Sequence, residues 1–185
     1  MSAKEMLNAV RGRPVAVAVV GGLVSGALSA FLFGIGAQQY SWIAPGVTFG
    51  VIFGAVLFLM RLARLWQAAL FAAASELCWY AAYRFAVSLF EWIGNSLQDA
   101  EAKMVVIGLA AGVLGAALLA GATAALFPWF RSWRRILAVA AAGGATGMLT
   151  GLNWGEGYPL FIAWQGAFAL CLALAFPPQS EKSAA

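Results

Sequence analysis

The chain has no histidine at all and a single aspartate, Asp99. Without an imidazole there is no His general base, no His-assisted serine or cysteine nucleophile and no His-ligated haem, and most zinc sites are excluded. With Asp99 lying outside the apolar runs, paired intramembrane aspartates are excluded as well. Charge of either sign is scarce: 10% of the 185 residues are charged and 63% are hydrophobic, outside the range of soluble domains. The two cysteines, Cys78 and Cys171, fall inside apolar runs, with no CxxC partner and no adjacent base to favour a thiolate. No lysine-bearing phosphate loop, HExxH or GxSxG motif occurs. An enzyme, including a lipid-modifying one, is therefore the poorest reading, and neither a cofactor nor a metal is expected.

What the chain does have is long apolar runs. A membrane barrel would show alternating segments of about ten residues, and none occur. The expectation is an all-α polytopic membrane protein, a bundle of six transmembrane helices. The spans read as Pro14–Gly36, Trp42–Met60, Leu62–Phe90, Met104–Phe127, Ile136–Leu152 and Pro159–Phe176. Residues 1–13 form a basic leader, 14–176 the single membrane domain, and 177–185 a polar tail read as disordered. The first apolar run is too long for a signal-peptide core, so it is expected to be retained.

The net charge of +4 follows topology rather than nucleic acid. Lys4, Arg11, Arg13, Arg61, Arg64, Arg131, Arg134, Arg135 and Lys182 would all share one side. Lys103 would sit on the other, with Arg84 at that edge. This positive-inside pattern places both termini in the cytoplasm of a plasma (inner) membrane. The expected partners are the lipid bilayer, a small solute or ion, and copies of itself or other membrane subunits, with no nucleic acid.

The run from Arg61 to Glu91 carries Glu76, the acid expected deepest in hydrocarbon. Counted from Leu65, Glu76 lies about 16 Å into the span at ~1.5 Å per residue, near the middle of a core roughly 30 Å thick. A carboxyl there points to function, or else to a protonated, structural hydrogen-bonding group. Tyr80 and Tyr83 follow on nearly the same face. Arg84 follows at the far boundary, as counter-ion or snorkelling outward.

Small residues recur every four positions, a glycine zipper on four helices. The series are Gly22, Gly26, Ala30 and Gly34; Gly46, Gly50 and Gly54; Gly108, Gly112, Ala116 and Ala120; and Gly143, Gly147 and Gly151. Such faces allow close backbone packing. The third and sixth spans instead carry Trp66–Gln67 and Trp164–Gln165. The order stripe, stripe, Trp–Gln then repeats, in opposite membrane orientation, as in a 3+3 inverted repeat. Chance recurrence of common residues gives the same pattern. Gln67 and Gln165 read either as inter-helix glue or as pathway lining. The short fifth span, rich in glycine, reads as a packing face or as an interrupted helix. Glu156, in NWGEGYP, reads as part of an outer gate or of an interfacial anchor.

Two functions are compatible with these residues. One is a small transporter or channel, or the membrane subunit of a transport system, with Glu76, Tyr80, Arg84, Gln67, Gln165 and Glu156 in its pathway. The other is a non-catalytic structural or assembly subunit of a larger membrane complex.

Overall fold

The computed structural model describes residues 13–35, 43–94, 97, 99–152 and 158–177. The leader, the tail and Glu156 lie outside the described residues. Six α-helices account for nearly all of it: α1 Pro14–Ile35, α2 Ala44–Leu59, α3 Leu65–Ile93, α4 Ala100–Leu126, α5 Trp133–Gly147 and α6 Tyr158–Ala173. Two 3₁₀ segments, Pro128–Phe130 and Met148–Leu152, flank α5. No strand occurs among the described residues. Two helical stretches, Pro14–Leu32 and Ala100–Leu126, are long and apolar enough to cross a membrane.

The other helices miss that test for identifiable reasons. At 16 residues, α2 rises only about 24 Å, short of a core of roughly 30 Å. The 29-residue α3 is long enough, but Gln67, Ser75, Glu76 and Arg84 dilute its apolar character. The fifth apolar run divides: α-helix ends at Gly147 and the chain tightens into 3₁₀ geometry through Met148–Leu152.

Local signals set several boundaries differently from the apolar runs. The α3–α4 connection is shorter than the expected 91–103, because its acids are absorbed into helix. Asp99 caps α4 by accepting from the Glu101 and Ala102 amides at 2.9 and 3.3 Å, and Glu101 in the first turn complements the helix dipole. Gly94, at φ +43°, ends α3. Lys103 then ties the turn down, donating to the Gly94 carbonyl at 2.8 Å with its ammonium 3.8 Å from the Phe90 ring centre.

The α2–α3 turn closes as a Schellman motif. Leu62 N–H donates to the Leu57 carbonyl and Arg61 N–H to that of Phe58, both at 2.9 Å. Arg61 occupies the left-handed position, φ +55°, where glycine is the usual residue. Leu57 and Leu62 are both buried, the apolar contact that accompanies this cap.

Each helix packs antiparallel on its neighbour in the chain, and α6 closes the ring against α1. The glycine faces make the closest approaches. Gly22 and Gly26 of α1 meet the α6 backbone at Gln165 and Phe161–Ile162. Gly46, Gly50 and Gly54 of α2 meet α3 at Glu76, Ala72 and Ala68. Gly108 and Gly112 of α4 interlock with Gly147 and Gly143 of α5, while Gly151 meets Val105. The stripes therefore serve unlike partners in the two halves: the first helix packs its glycines on the sixth, and the fourth packs its glycines on the fifth.

An aromatic column fills the centre. The Phe49 ring stacks on Phe53 at 5.2 Å and meets Phe168 edge-on at 5.5 Å. The column continues through Phe71, Phe127 and Trp129 to Phe176. Phe49, Phe53, Phe71, Phe127, Phe130 and Phe168 are all almost completely buried.

Candidate functional site

Polar side chains gather where α1, α2 and α6 meet. Ser25 and Ser29, one turn apart on the face that also bears Gly22 and Gly26, point at α6. Gln165 answers from α6. Its carbonyl oxygen accepts from the Ser25 hydroxyl, and its amide donates to the Ser29 hydroxyl at 2.8 Å and to the Pro45 carbonyl at 3.2 Å. Ser29 also shares a hydrogen bond with Thr48, whose hydroxyl reaches back to the Ala44 carbonyl at 2.8 Å. Ser25, Ser29 and Gln165 have no exposed surface and Thr48 almost none. Gln165 thus uses its carbonyl and both amide protons, as a buried carboxamide must.

Glu76 lies on the other side of α2's first turn. Ser75 donates to the Gly46 carbonyl at 2.9 Å, holding α3 against that turn. A Cβ on Gly46 would lie 2.8 Å from the Glu76 Cα and closer still to its Oε2, so only glycine leaves room for the carboxyl. The Val47 amide lies beside the carboxyl group and donates to the Ile43 carbonyl at 3.3 Å. Oε2 is fully buried and has no hydrogen-bond partner among the described residues. The N-terminal end of α2 offers amides and the positive end of a helix dipole to an acid.

A cavity of about 170 Å³ opens between α3, α4, α5 and α6. Ser75, Cys78, Trp79 and Tyr83 line it from α3, glycines and alanines from α4, Thr150 from the 3₁₀ segment, and Phe161 and Trp164 from α6. Trp79 packs against Trp164 and Phe161 at ring separations of 5.7 and 5.9 Å. No charged residue lines it among the described residues.

The residues singled out in the sequence are thus distributed over several places. Glu76 faces α2 and does not line the cavity, though its neighbours Ser75 and Trp79 do. Tyr80 is 38% exposed, and Arg84 is exposed; neither lines the cavity. Gln67 works at the arginine-rich end, where its oxygen accepts from the Arg64 amide at 2.9 Å and its amide donates to the Leu126 carbonyl at 3.0 Å. The two Trp–Gln pairs are therefore used differently: Gln67 ties a helix start to a helix end, and Gln165 is the hub of a buried network. Thr150 donates to the Gly147 carbonyl at 2.8 Å and lies 2.9 Å from that of Met104, so the glycine-rich stretch is bonded to α4.

Ser25, Ser29, Thr48 and Ser75 were not singled out by motif or charge. The signal was present in α1, where Gly22, Ser25, Gly26 and Ser29 lie at helical i, i+3, i+4, i+7 spacing. Nothing local pairs that face with Gln165, 140 residues from Ser25.

No protein family, curated protein or solved structure matches this chain.

Proposed function

We propose that the chain is a six-span inner-membrane protein that binds and moves a small solute or ion, alone or as the membrane subunit of a transport system. The membrane reading is supported by an apolar exterior. A few hydroxyls and a carboxamide are sealed within an otherwise apolar interior, while large apolar side chains also face outward on helix after helix: Val20 58% exposed, Val51 56%, Leu77 68% and Leu137 56%. A soluble fold buries those groups, and a bilayer solvates them. The short helices fit such a span by local thinning or by tilted packing against longer neighbours. Described arginines at one end (Arg13, Arg61, Arg64, Arg131, Arg134, Arg135) support a cytoplasmic orientation for both termini.

The observation that carries the transport reading is Glu76 Oε2, a buried acid oxygen without a partner, beside residues that line an internal cavity. An ionisable group in that setting is a functional candidate by default. A solute hydroxyl, ammonium or proton would complete its coordination.

A second reading, an assembly subunit, has one specific observation in its favour. Gly121 of α4 is exposed, and a side chain built there would meet nothing within 4 Å. Ala125, one turn on, is also exposed. This is a small-residue face with no partner among the described residues.

Native mass spectrometry of the protein released gently from its own membranes tests both readings. A monomer or homo-oligomer retaining a small molecule is the expected result. A second polypeptide at fixed stoichiometry, with no small molecule, favours assembly and overturns self-sufficient transport.

A further inference from the structure

The cavity carries information about what it would hold. Cavities of about 150 Å³ with aliphatic and aromatic walls take up benzene, so about 170 Å³ accommodates one six-membered ring with a small substituent. Its walls differ in kind. From α4 come Gly108, Ala111, Gly112 and Gly115, which present backbone and methyl groups, with the side chains of Met104, Ile107 and Leu119 beside them, whereas α3 and α6 contribute Trp79, Phe161 and Trp164. A run of small residues framed by aliphatic side chains and faced by indole and phenyl rings suits a planar group with two apolar faces. Among the described residues no charged side chain lines the cavity, which favours a neutral group.

Apart from Ser75, whose hydroxyl donates to the Gly46 carbonyl, polarity enters through Tyr83 and Thr150. Tyr83 and Met104, 40% and 38% exposed, mark where the cavity reaches the surface. The Tyr83 hydroxyl can donate there. Thr150 has committed its proton to backbone carbonyls, and its oxygen retains a lone pair that can accept.

We propose that this cavity binds a neutral, ring-bearing, membrane-soluble compound of the phenol or quinone class, with the ring between α4 and the aromatic residues and its oxygen toward Tyr83 and Thr150. The inference rests on the membrane placement above, because such a ligand enters from lipid, but not on transport.

The test uses the full chain in detergent micelles, with 4-fluorophenol followed by fluorine NMR. Ala111→Phe and Ala86→Leu each fill the cavity from a different helix, so a folded variant is secured if either tolerates the change. The expected result is saturable binding to the wild type that weakens at least tenfold in the folded filled variant. Tyr83→Phe should weaken 4-fluorophenol several-fold and leave fluorobenzene unchanged. Three results overturn the proposal: no saturable binding to the wild type, equal binding to a folded filled variant, or equally tight binding of 1-fluorohexane, which would make the cavity an acyl-chain slot. Bound 4-fluorophenol with no solute transport by reconstituted vesicles would remove the transport reading and leave this one standing.

Discussion

Gln165 and Gln67 are the same residue in the same dipeptide context, yet their environments predict unequal importance. Gln165 makes three hydrogen bonds to other helices or their flanks from a fully buried position. Inter-helix hydrogen bonds in membranes average about 0.6 kcal/mol each and reach about 1.7, so Gln165→Leu should cost about 2 kcal/mol. Gln67→Leu loses one helix-start bond and one bond to α4, and should cost about 1 kcal/mol. Thermal unfolding of the two purified variants checks that order. Glu76→Gln preserves the shape of the side chain, and removing a charge from a helix N-terminus costs roughly 0.3–1 kcal/mol. Its midpoint should stay close to wild type while retention of the native solute is lost, read by unfolding and native mass side by side. Full retention in a folded Glu76→Gln protein would remove the acid from the pathway. At this scale the sequence announced Glu76 by its position in an apolar run. It could not announce Gly46 and Val47 as its neighbours, because they come from a different helix.

Among the elements, the glycine stripes were legible as close-packing faces, and each one reported above is used that way. Which helix each stripe would meet was not legible, since every stripe has the same small-residue chemistry and partner choice depends on the whole ring. The distinction can be measured. A Cβ on Gly112 would press into the Gly143 carbonyl, so even Gly112→Ala must move α5, at about 1–3 kcal/mol for overpacking. Gly121→Leu points into open space and exchanges glycine for a better helix former, a gain of up to about 1 kcal/mol. The expected pair of outcomes is a lowered unfolding midpoint for the first and an unchanged or raised one for the second. If Gly121→Leu also detaches a co-purifying subunit, the exposed α4 face is its docking surface. Helix ends were read less well than helix centres: Asp99 and the Arg61 turn act through caps that an apolar run does not register.

For the molecule as a whole, the alternation of up and down helices brings Arg13, the 60–64 turn and the 127–132 turn to one end. The α3–α4 turn, with Glu91, Asp99 and Glu101, lies at the other. In a background with Cys78 and Cys171 replaced by alanine, single cysteines at Leu97 and Trp133, both exposed, should react with an impermeant maleimide from opposite faces of sealed cells. Labelling of both from the same face would sink the six-span topology. The all-helical class was readable from apolar runs alone. Closure of the ring was not, because it depends on a contact between the first helix and the last.

That closure sets an order of events during synthesis. Ser25 and Gln165 are 140 residues apart, and at about 5–20 residues per second α1 waits roughly seven to thirty seconds for α6 to leave the ribosome. Throughout that interval Ser25 and Ser29 have no Gln165 to bond, and the Gly22–Gly26 face has no backbone against it. On the membrane placement proposed above, a nascent chain stalled before Tyr158 would present an unfinished polar seam to the lipid, the kind of surface on which insertion chaperones and membrane proteases act.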